Sequence, residues 1–144
     1  MRKILMVTAL LLAGASFTVA YALDSGAAAP VVVTPVKTTA VTSTGQPIVL
    51  PLRNVEVTAS IFDIAPGATL PVHKHPFPRY AYVLAGTIKV TNADTGKSDT
   101  FKTGDFIVEM IDQWHQGSNI GADPVKLLVI DQIEAGAQAT ILKQ

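Results

Sequence analysis

Three histidines are present in the chain, and two of them are separated by a single residue. His73 and His75 lie in the stretch GATLPVHKHPFPRYAYVLAG. Alternate residues of an extended strand project to the same face, so the two imidazoles would start about 6.6 Å apart at the backbone and can converge on one metal ion. His115 lies forty residues further on, in the second strand-like stretch QWHQGSN. All of the imidazole in the sequence is therefore available to one site.

Three neutral imidazoles on one side of a first-row metal leave two or three positions open for water, oxygen or a substrate, which is the geometry of catalytic metal sites. A three-histidine set adds no ligand charge, so it accepts Fe, Zn, Ni, Cu or Mn. We therefore expect one divalent transition metal per chain, bound by His73, His75 and His115, with an identity that the sequence leaves open. The alternative is that the three histidines are ordinary polar residues of an interior without a metal.

The segments around the histidines follow the two-residue period of β-strands. The pattern begins in NVEVTASIFDI, with Val55, Val57, Ala59 and Ile61 on one face, and continues in YAYVLAGTIKVTN, FIVEM and VKLLVIDQI. Turn-forming Gly, Pro and Asn separate these runs, and none of the intervening segments has a helical period. The sequence therefore predicts an all-β domain, either an antiparallel barrel or a jelly roll. The tail from Glu134 is compatible with a short helix or a swapped strand.

Two sets of residues have the spacing of known sequence motifs. The first set is Gly67, His73, His75 and Gly86, and the second is Gly104, His115 and Asn119. In this spacing the chain resembles the cupin superfamily over roughly residues 55 to 132, as a single-domain, type-2-like member with an export signal. The resemblance implies a single-domain cupin barrel with a histidine metal site. It does not specify a reaction, because cupins include dioxygenases, isomerases, decarboxylases, storage proteins and sugar-binding regulators.

Arg79 stands where the first cupin motif usually has a metal-binding glutamate. A guanidinium stays protonated and cannot bind a metal, so ligation falls to the three histidines. Arg79 shares strand parity with Ala81 and Val83, and we expect it to face the interior, where it can bind a substrate carboxylate through two hydrogen bonds. The alternative is a structural ion pair with an acid such as Glu109 or Asp112. Glu109, in a strand close to the second motif, is also a candidate base behind the metal ligands.

The first 22 residues have the features of a secretory signal peptide. Basic residues 2–3 precede an apolar run over residues 4–15, and the segment ends in the small-residue pattern Ala20-Tyr21-Ala22. This predicts cleavage after Ala22, a periplasmic or secreted location, and no stable membrane span in the mature protein. The alternative is a membrane anchor, which is disfavoured because the apolar run is shorter than the roughly 20 residues that a bilayer requires.

We expect three segments: a signal peptide over residues 1–22, an N-terminal arm over residues 23–46, and a cupin barrel with a C-terminal tail over residues 47–144. Pro30 and Pro35 oppose a helix in the arm, but the arm can contain an edge strand. Such a strand would pair with the barrel or with a second subunit, so a homodimer is one expectation. A disordered linker is the alternative.

The composition excludes several classes of function. The chain has no cysteine, so it has no disulfide, thiolate ligand or cysteine nucleophile. It has 11 basic and 11 acidic residues, and loss of the signal peptide would remove two basic ones, which argues against binding to nucleic acid. The sequence thus predicts an exported metal-binding cupin that acts on a small molecule, anionic if Arg79 binds it, with a three-histidine oxygenase as one candidate activity. The alternative is a non-catalytic module that binds or senses a small ligand or a metal.

Overall fold

The computed structural model describes residues 21–23, 31–51 and 53–144. Within these residues the regular structure is entirely β, with no helix, and therefore with none that is long and apolar enough to cross a bilayer. The strands are β1 (Tyr21–Leu23), β2 (Val31–Val33), β3 (Val55–Ile64), β4 (His73–Lys74), β5 (Arg79–Ala85), β6 (Thr87–Asn92), β7 (Ser98–Lys102), β8 (Phe106–Val108), β9 (His115–Asn119), β10 (Val125–Glu134) and β11 (Ile141–Leu142).

The chain divides into two compact units, residues 1–35 and residues 36–144. In the first unit β1 pairs antiparallel with β2, with Ala22 opposite Val32. The strand expected in the arm is thus present, and within the described residues it pairs with β1, which is close in sequence and closes only a short loop. The strand β1 spans the predicted cleavage point after Ala22, and the rest of the predicted signal peptide lies outside the described residues.

The second unit consists of two antiparallel sheets, which confirms the predicted all-β jelly roll. One sheet has four strands in the order β3-β10-β5-β8, and the other has five in the order β11-β4-β9-β6-β7. Residues 41–46, which the sequence placed in the arm, are attached to this unit, since the backbone N–H of Ser43 donates to the carbonyl of Val108 at 2.8 Å. The core is apolar, and its buried members are Ile64, Ala81, Val83, Ile88, Val90, Ile107, Met110, Val125, Leu127 and Val129.

Strand β5 alternates as its sequence parity predicts. Arg79, Ala81 and Val83 are buried, whereas Tyr80 and Tyr82 are half-buried on the opposite face. Strand β10 pairs with β5 on one side and with β3 on the other, so it lies in the middle of the four-stranded sheet. A residue of β10 that shares the inward parity therefore lies directly beside the inward residues of β5.

Strand β3 is an edge strand, and its apolar face points outward. Val55, Val57 and Ile61, which the sequence placed on one face, are 46%, 62% and 51% exposed. The inward face at the end of the strand is formed by Phe62 and Ile64. Periodicity correctly grouped these residues, but it does not tell which face of a two-faced apolar strand is covered.

The five-stranded sheet brings the histidine strands together. His73 of β4 lies opposite His115 of β9, and Asn92 at the end of β6 lies opposite His115 on its other side. The C-terminal tail forms β11, which pairs antiparallel with β4 and places Leu142 opposite His73. The tail, expected to be a short helix or a swapped strand, is neither: it forms a strand that pairs within its own chain.

Candidate metal centre

The three histidines form one buried cluster, as their spacing predicts. His75 and His115 are 1% exposed and His73 is 7% exposed. Their ring centroids are 4.5 to 4.9 Å apart, and one nitrogen from each lies within 4.8 Å of the others. Side chains from β4, from the loop after it and from β9 therefore offer three nitrogens to a single point, and this group can hold a metal ion.

Each imidazole is oriented by a backbone carbonyl. The Nδ1 of His73 donates to the carbonyl of Pro71 at 2.7 Å, and the Nδ1 of His75 donates to the carbonyl of Ala139 at 3.0 Å. The Nδ1 of His115 donates to the carbonyl of Gln113 at 2.8 Å. A carbonyl oxygen only accepts, so each Nδ1 must carry the proton and, in the neutral ring, each Nε2 has a free lone pair. Metal-binding histidines are commonly held in this way, because the bond at one nitrogen fixes the tautomer and direction of the other.

Burial keeps two of these rings unprotonated. Loss of hydration holds the pKa of His75 down at about 3, and the positive charge of Arg79 adds to this effect while the Glu109 carboxylate opposes it. Burial likewise lowers the pKa of His73. At neutral pH both nitrogens are therefore available as ligands without first losing a proton.

Arg79 is buried beside the cluster and forms a two-pronged ion pair with Asp131. Its Nε donates to Oδ1 at 2.6 Å and its Nη2 donates to Oδ2 at 3.0 Å. Asp131 is 6% exposed and lies opposite Arg79 in the pairing of β10 with β5. The acid that pairs with Arg79 is thus Asp131, and neither Glu109 nor Asp112, because β10 is the strand that runs beside it.

The remaining donors of Arg79 face the cluster and the tail. Nη2 also donates to the Thr140 hydroxyl at 3.0 Å, and Nη1 donates to Nε2 of His75 at 3.3 Å. The Ala139 carbonyl, next to Thr140, is the group that orients His75. Residues 139–140 therefore form one wall of the site, which the sequence did not predict because they lie in the loop before a strand too short to have a readable period.

Glu109 and Asp112 pair elsewhere. The Oε2 atom of Glu109 lies 3.1 Å from Nε2 of His115, and Asp112 pairs with Lys74 at 2.6 Å on the surface. Burial opposes ionisation of Glu109, but contact with His115 and the charges of the histidines and Arg79 outweigh it and hold the pKa of Glu109 at about 2. Burial lowers the pKa of His115, yet the Glu109 carboxylate outweighs burial and raises it.

A cavity of about 630 Å³ lies between residues 43–45 and the strands β6 and β7. Its lining includes Asn92, Met110 and Gln113, and the Asn92 amide donates to the Gln113 side-chain oxygen at 2.8 Å. Gln113 is also the residue whose backbone carbonyl orients His115. The cavity is of the size that small-molecule sites have, and it adjoins the residues that hold one of the three histidines.

Comparison with known proteins identifies the fold. A family model described as a cupin domain matches residues 60–131, half of the chain. A conserved protein with a double-stranded β-helix domain from Klebsiella pneumoniae subsp. pneumoniae is similar in structure, with 21% identity, a TM-score of 0.51, and coverage of 68% of this chain and 82% of that one. The polyketide cyclase RemF from Streptomyces resistomycificus is similar at 19% identity and a TM-score of 0.51, over 61% of this chain and 62% of that one.

Oxalate decarboxylase from Bacillus subtilis is similar at 24% identity and a TM-score of 0.49 over 60% of this chain, and this chain spans only 23% of that enzyme's length. A search of curated proteins found no match. The two likenesses with a TM-score of 0.51 show the fold alone, and the family model, which covers half of the sequence, agrees with them. The chain therefore belongs to the cupin family.

Proposed function

We propose that this protein is an exported cupin that binds one divalent transition metal through His73, His75 and His115 and takes a small anionic molecule at that centre. The observation that carries the proposal is the common orientation of the three rings, each with Nδ1 committed to a carbonyl and Nε2 left for a ligand. The Nε2 atom of His115 is buried without a hydrogen-bond partner among the described residues. Such an atom costs about 1–3 kcal/mol unless something binds it, and a metal ion fits that need.

The residues around the cluster suit chemistry at an open metal position. When bound, the ion would supply Lewis acidity, and iron, copper or manganese would add redox chemistry with oxygen, as in an oxygenase. The buried apolar residues Ala81 and Val83 follow Arg79 on the same inward face of β5, and burial of the three histidines excludes water from the cluster. Exclusion of water strengthens the electrostatic contacts of a bound anion with the groups that face it.

Arg79 is the proposed contact for that anion. Its Nε and Nη2 are committed to Asp131, which fixes the plane of the guanidinium and points Nη1 toward the histidines. A metal that takes the lone pair of His75 would free the Nη1–H bond for a ligand carboxylate. Such a charge-assisted bond is stronger than a neutral one and would favour anions.

A second candidate function is non-catalytic capture of a metal or small ligand. The burial of the histidines favours it, because two of them are 1% exposed and residues 139–142 lie along the site. A ligand held in so enclosed a position would leave slowly. Rapid turnover would need a faster route in and out than a closed wall provides.

Elemental analysis of protein purified from its native compartment tests the metal proposal. We expect one transition metal per chain, and its loss in the double variant His73→Ala, His75→Ala, with the circular dichroism of the β-sheets retained because the core is apolar. Lys74→Gln, between the two histidines, is the matched control and should keep the metal, since Lys74 pairs with Asp112 on the surface. Unchanged metal content in the double variant would contradict the proposal.

Oxygen consumption separates the two candidate functions. Metal-loaded protein is mixed with small carboxylates, and oxygen uptake with product formation supports the oxygenase. Stoichiometric retention of a carboxylate without product supports the binding module instead. Either result depends on the metal, so the double histidine variant should show neither.

Export is part of the proposal and has its own test. The small-residue pattern at residues 20–22 and the basic start support cleavage after Ala22. The intact mass of the exported protein should correspond to loss of residues 1–22. A mass that retains the apolar run would favour a membrane anchor.

A homodimer is also proposed, through the outer edge of β3. Among the strands that the structure describes, this ten-residue strand pairs only with β10, and Val55, Val57 and Ile61 are exposed along it. A long apolar edge strand tends to pair with another chain, and the same strand of a second copy is the simplest partner. Sedimentation of wild type against Val57→Lys tests this, with a shift from dimer to monomer expected.

A further inference from the structure

The carboxylate of Glu109 is directed at a histidine nitrogen that cannot donate to it in the neutral ring. The Nδ1–H of His115 is committed to the Gln113 carbonyl at 2.8 Å, so Nε2 presents a lone pair. The Glu109 Oε2 atom, which is also an acceptor, lies only 3.1 Å away. Although this is the distance of an ion pair, Nε2 has no partner in hydrogen-bond geometry within the described part of the chain. Two acceptors so close repel each other unless they share a cation, either a proton on the ring nitrogen or a metal ion between them.

The separation of these two atoms is that of neighbouring ligands on one metal ion. Nitrogen and oxygen ligands bind first-row metals at about 2.0–2.2 Å, so two ligands at a right angle are about 3 Å apart. The 3.1 Å between Oε2 and Nε2 matches that value, and the poor alignment for a hydrogen bond is what such a pair has. Binding of both atoms to one metal ion would thus explain the distance and the missing hydrogen bond together.

The backbone places Glu109 directly beside the position that Arg79 occupies. The N–H of Glu109 donates to the carbonyl of Arg79 at 3.0 Å, which extends the pairing of β8 with β5 by one residue. Position 79 is where the first cupin motif usually supplies its carboxylate. The Glu109 side chain can therefore reach the space that the carboxylate of the first motif would occupy.

Arg79 does not compete for this carboxylate. Its two strongest contacts go to Asp131, on the opposite side of β5. The negative charge of Glu109 is thus directed at His115, the ring that its carboxylate contacts at 3.1 Å.

We infer that Glu109 supplies a carboxylate oxygen ligand to the metal centre, so that three histidines and one glutamate from the strand beside Arg79 form the donor set. The inference rests on the proposed metal site. It changes the nature of that site, because the donor set is then singly negative rather than neutral. Mixed nitrogen and carboxylate donors suit iron and manganese better than three imidazoles alone.

Cobalt binding to the full chain, stripped of metal with a chelator, tests the inference. Co²⁺ is titrated against a competing chelator, and the visible spectrum of the bound ion is recorded for wild type and Glu109→Gln. We expect Glu109→Gln to bind Co²⁺ about 10- to 100-fold more weakly and to shift the Co²⁺ bands, because the oxygen ligand is lost. Glu56→Gln, which removes an exposed acid of β3, is the matched control and should change neither quantity.

Glu109→Asp keeps the charge but withdraws the carboxylate by one methylene. If Glu109 is a ligand, this variant should also bind Co²⁺ more weakly with shifted bands, and it serves if Glu109→Gln does not fold. Wild-type affinity and spectrum in Glu109→Asp would mean that charge alone matters, which overturns the inference.

The other outcomes separate the inference from the proposal beneath it. Weaker binding in Glu109→Gln with an unchanged Co²⁺ spectrum would make Glu109 a positioning residue that acts through His115, and the ligand assignment would be overturned. If Glu109→Gln has the Co²⁺ affinity and spectrum of the wild type, Glu109 forms only an ion pair with His115, and the ligand assignment is overturned as well. Failure of the wild type to bind Co²⁺, Mn²⁺, Fe²⁺ or Zn²⁺ would remove the proposed function itself, before any variant is compared.

Discussion

Asp131 and Glu109 lie on either side of Arg79, one in β10 and the other directly after β8, but their carboxylates have different partners. Both oxygens of Asp131 accept hydrogen bonds from the Arg79 guanidinium. The Glu109 oxygen nearest to the cluster lies 3.1 Å from a nitrogen that makes no hydrogen bond. Asp131 is therefore satisfied by Arg79, whereas the Glu109 carboxylate faces the histidines without a well-aligned hydrogen bond.

The difference separates a structural charge from a functional one. A buried ion pair with two good hydrogen bonds offsets its own desolvation, and little attraction is left for a ligand. A buried acid without such a partner remains only where it serves another purpose, since polar groups in protein interiors are normally satisfied. The contrast assigns the Asp131 pair to stability and to the orientation of Arg79, and it leaves Glu109 for binding.

Removal of the Asp131 charge should have the largest effect on stability. Asp131→Asn keeps the shape of the side chain but leaves the buried Arg79 guanidinium without its counterion, which should cost about 3–5 kcal/mol. Urea unfolding with a chelator present measures this free energy in the metal-free state. Asp63→Asn, at an exposed ion pair with Lys126, is the control and should cost less than about 1 kcal/mol. A similar small cost for Asp131→Asn would contradict the structural assignment.

The fold and the histidine cluster were predictable, because each depends on a short-range pattern. The two-residue period predicted the strands, and the motif spacing brought the three histidines together. The inward parity of Arg79 followed from its neighbours Ala81 and Val83. All of these are properties of one strand or of one motif.

The partners of the charged residues were not predictable in the same way. Arg79 and Asp131 are 52 residues apart and meet because β10 lies beside β5, and alternation within a strand does not tell which strands pair. A signal was nevertheless present, since Asp131 is the one acid with inward parity in the apolar run VKLLVIDQI. The contact of Glu109 with His115 had no such signal, because it depends on side-chain directions across two sheets.

Acid should lower the free energy of unfolding of the metal-free protein, because the folded state keeps buried histidines neutral. His75 is neutral when folded, with a pKa near 3, but takes up a proton at its ordinary value of 6.5 when unfolded. The unfolded chain therefore binds more protons between pH 6.5 and 3, and the stability present above pH 6.5 is lost as the pH falls. His73 acts in the same direction, because burial also lowers its pKa.

The slope for one proton is about 1.4 kcal/mol per pH unit, or nearly 3 kcal/mol from pH 6.5 to 4.5. The raised pKa of His115 contributes stability that is fully present below pH 6.5 and is lost as the pH rises through its folded value, so the slope below pH 6.5 comes from His75 and His73. Urea midpoints collected across the range give the slope directly. His75→Gln should reduce this slope by the contribution of about one proton. A wild-type free energy of unfolding that does not change with pH would mean that burial does not keep His75 neutral.

The smallest effect is expected from Glu109→Gln in the metal-free protein. The carboxylate makes no well-aligned hydrogen bond, and the amide can donate to the lone pair of His115, so the free energy of unfolding should change by less than about 1 kcal/mol. Addition of Co²⁺ should then reveal the difference. If the variant binds the ion 10- to 100-fold more weakly, saturating Co²⁺ should stabilise the wild type by about 1.4–2.7 kcal/mol more than the variant. A loss of 3 kcal/mol without metal, similar to that of Asp131→Asn, would place both acids in the same structural class and remove the contrast between them.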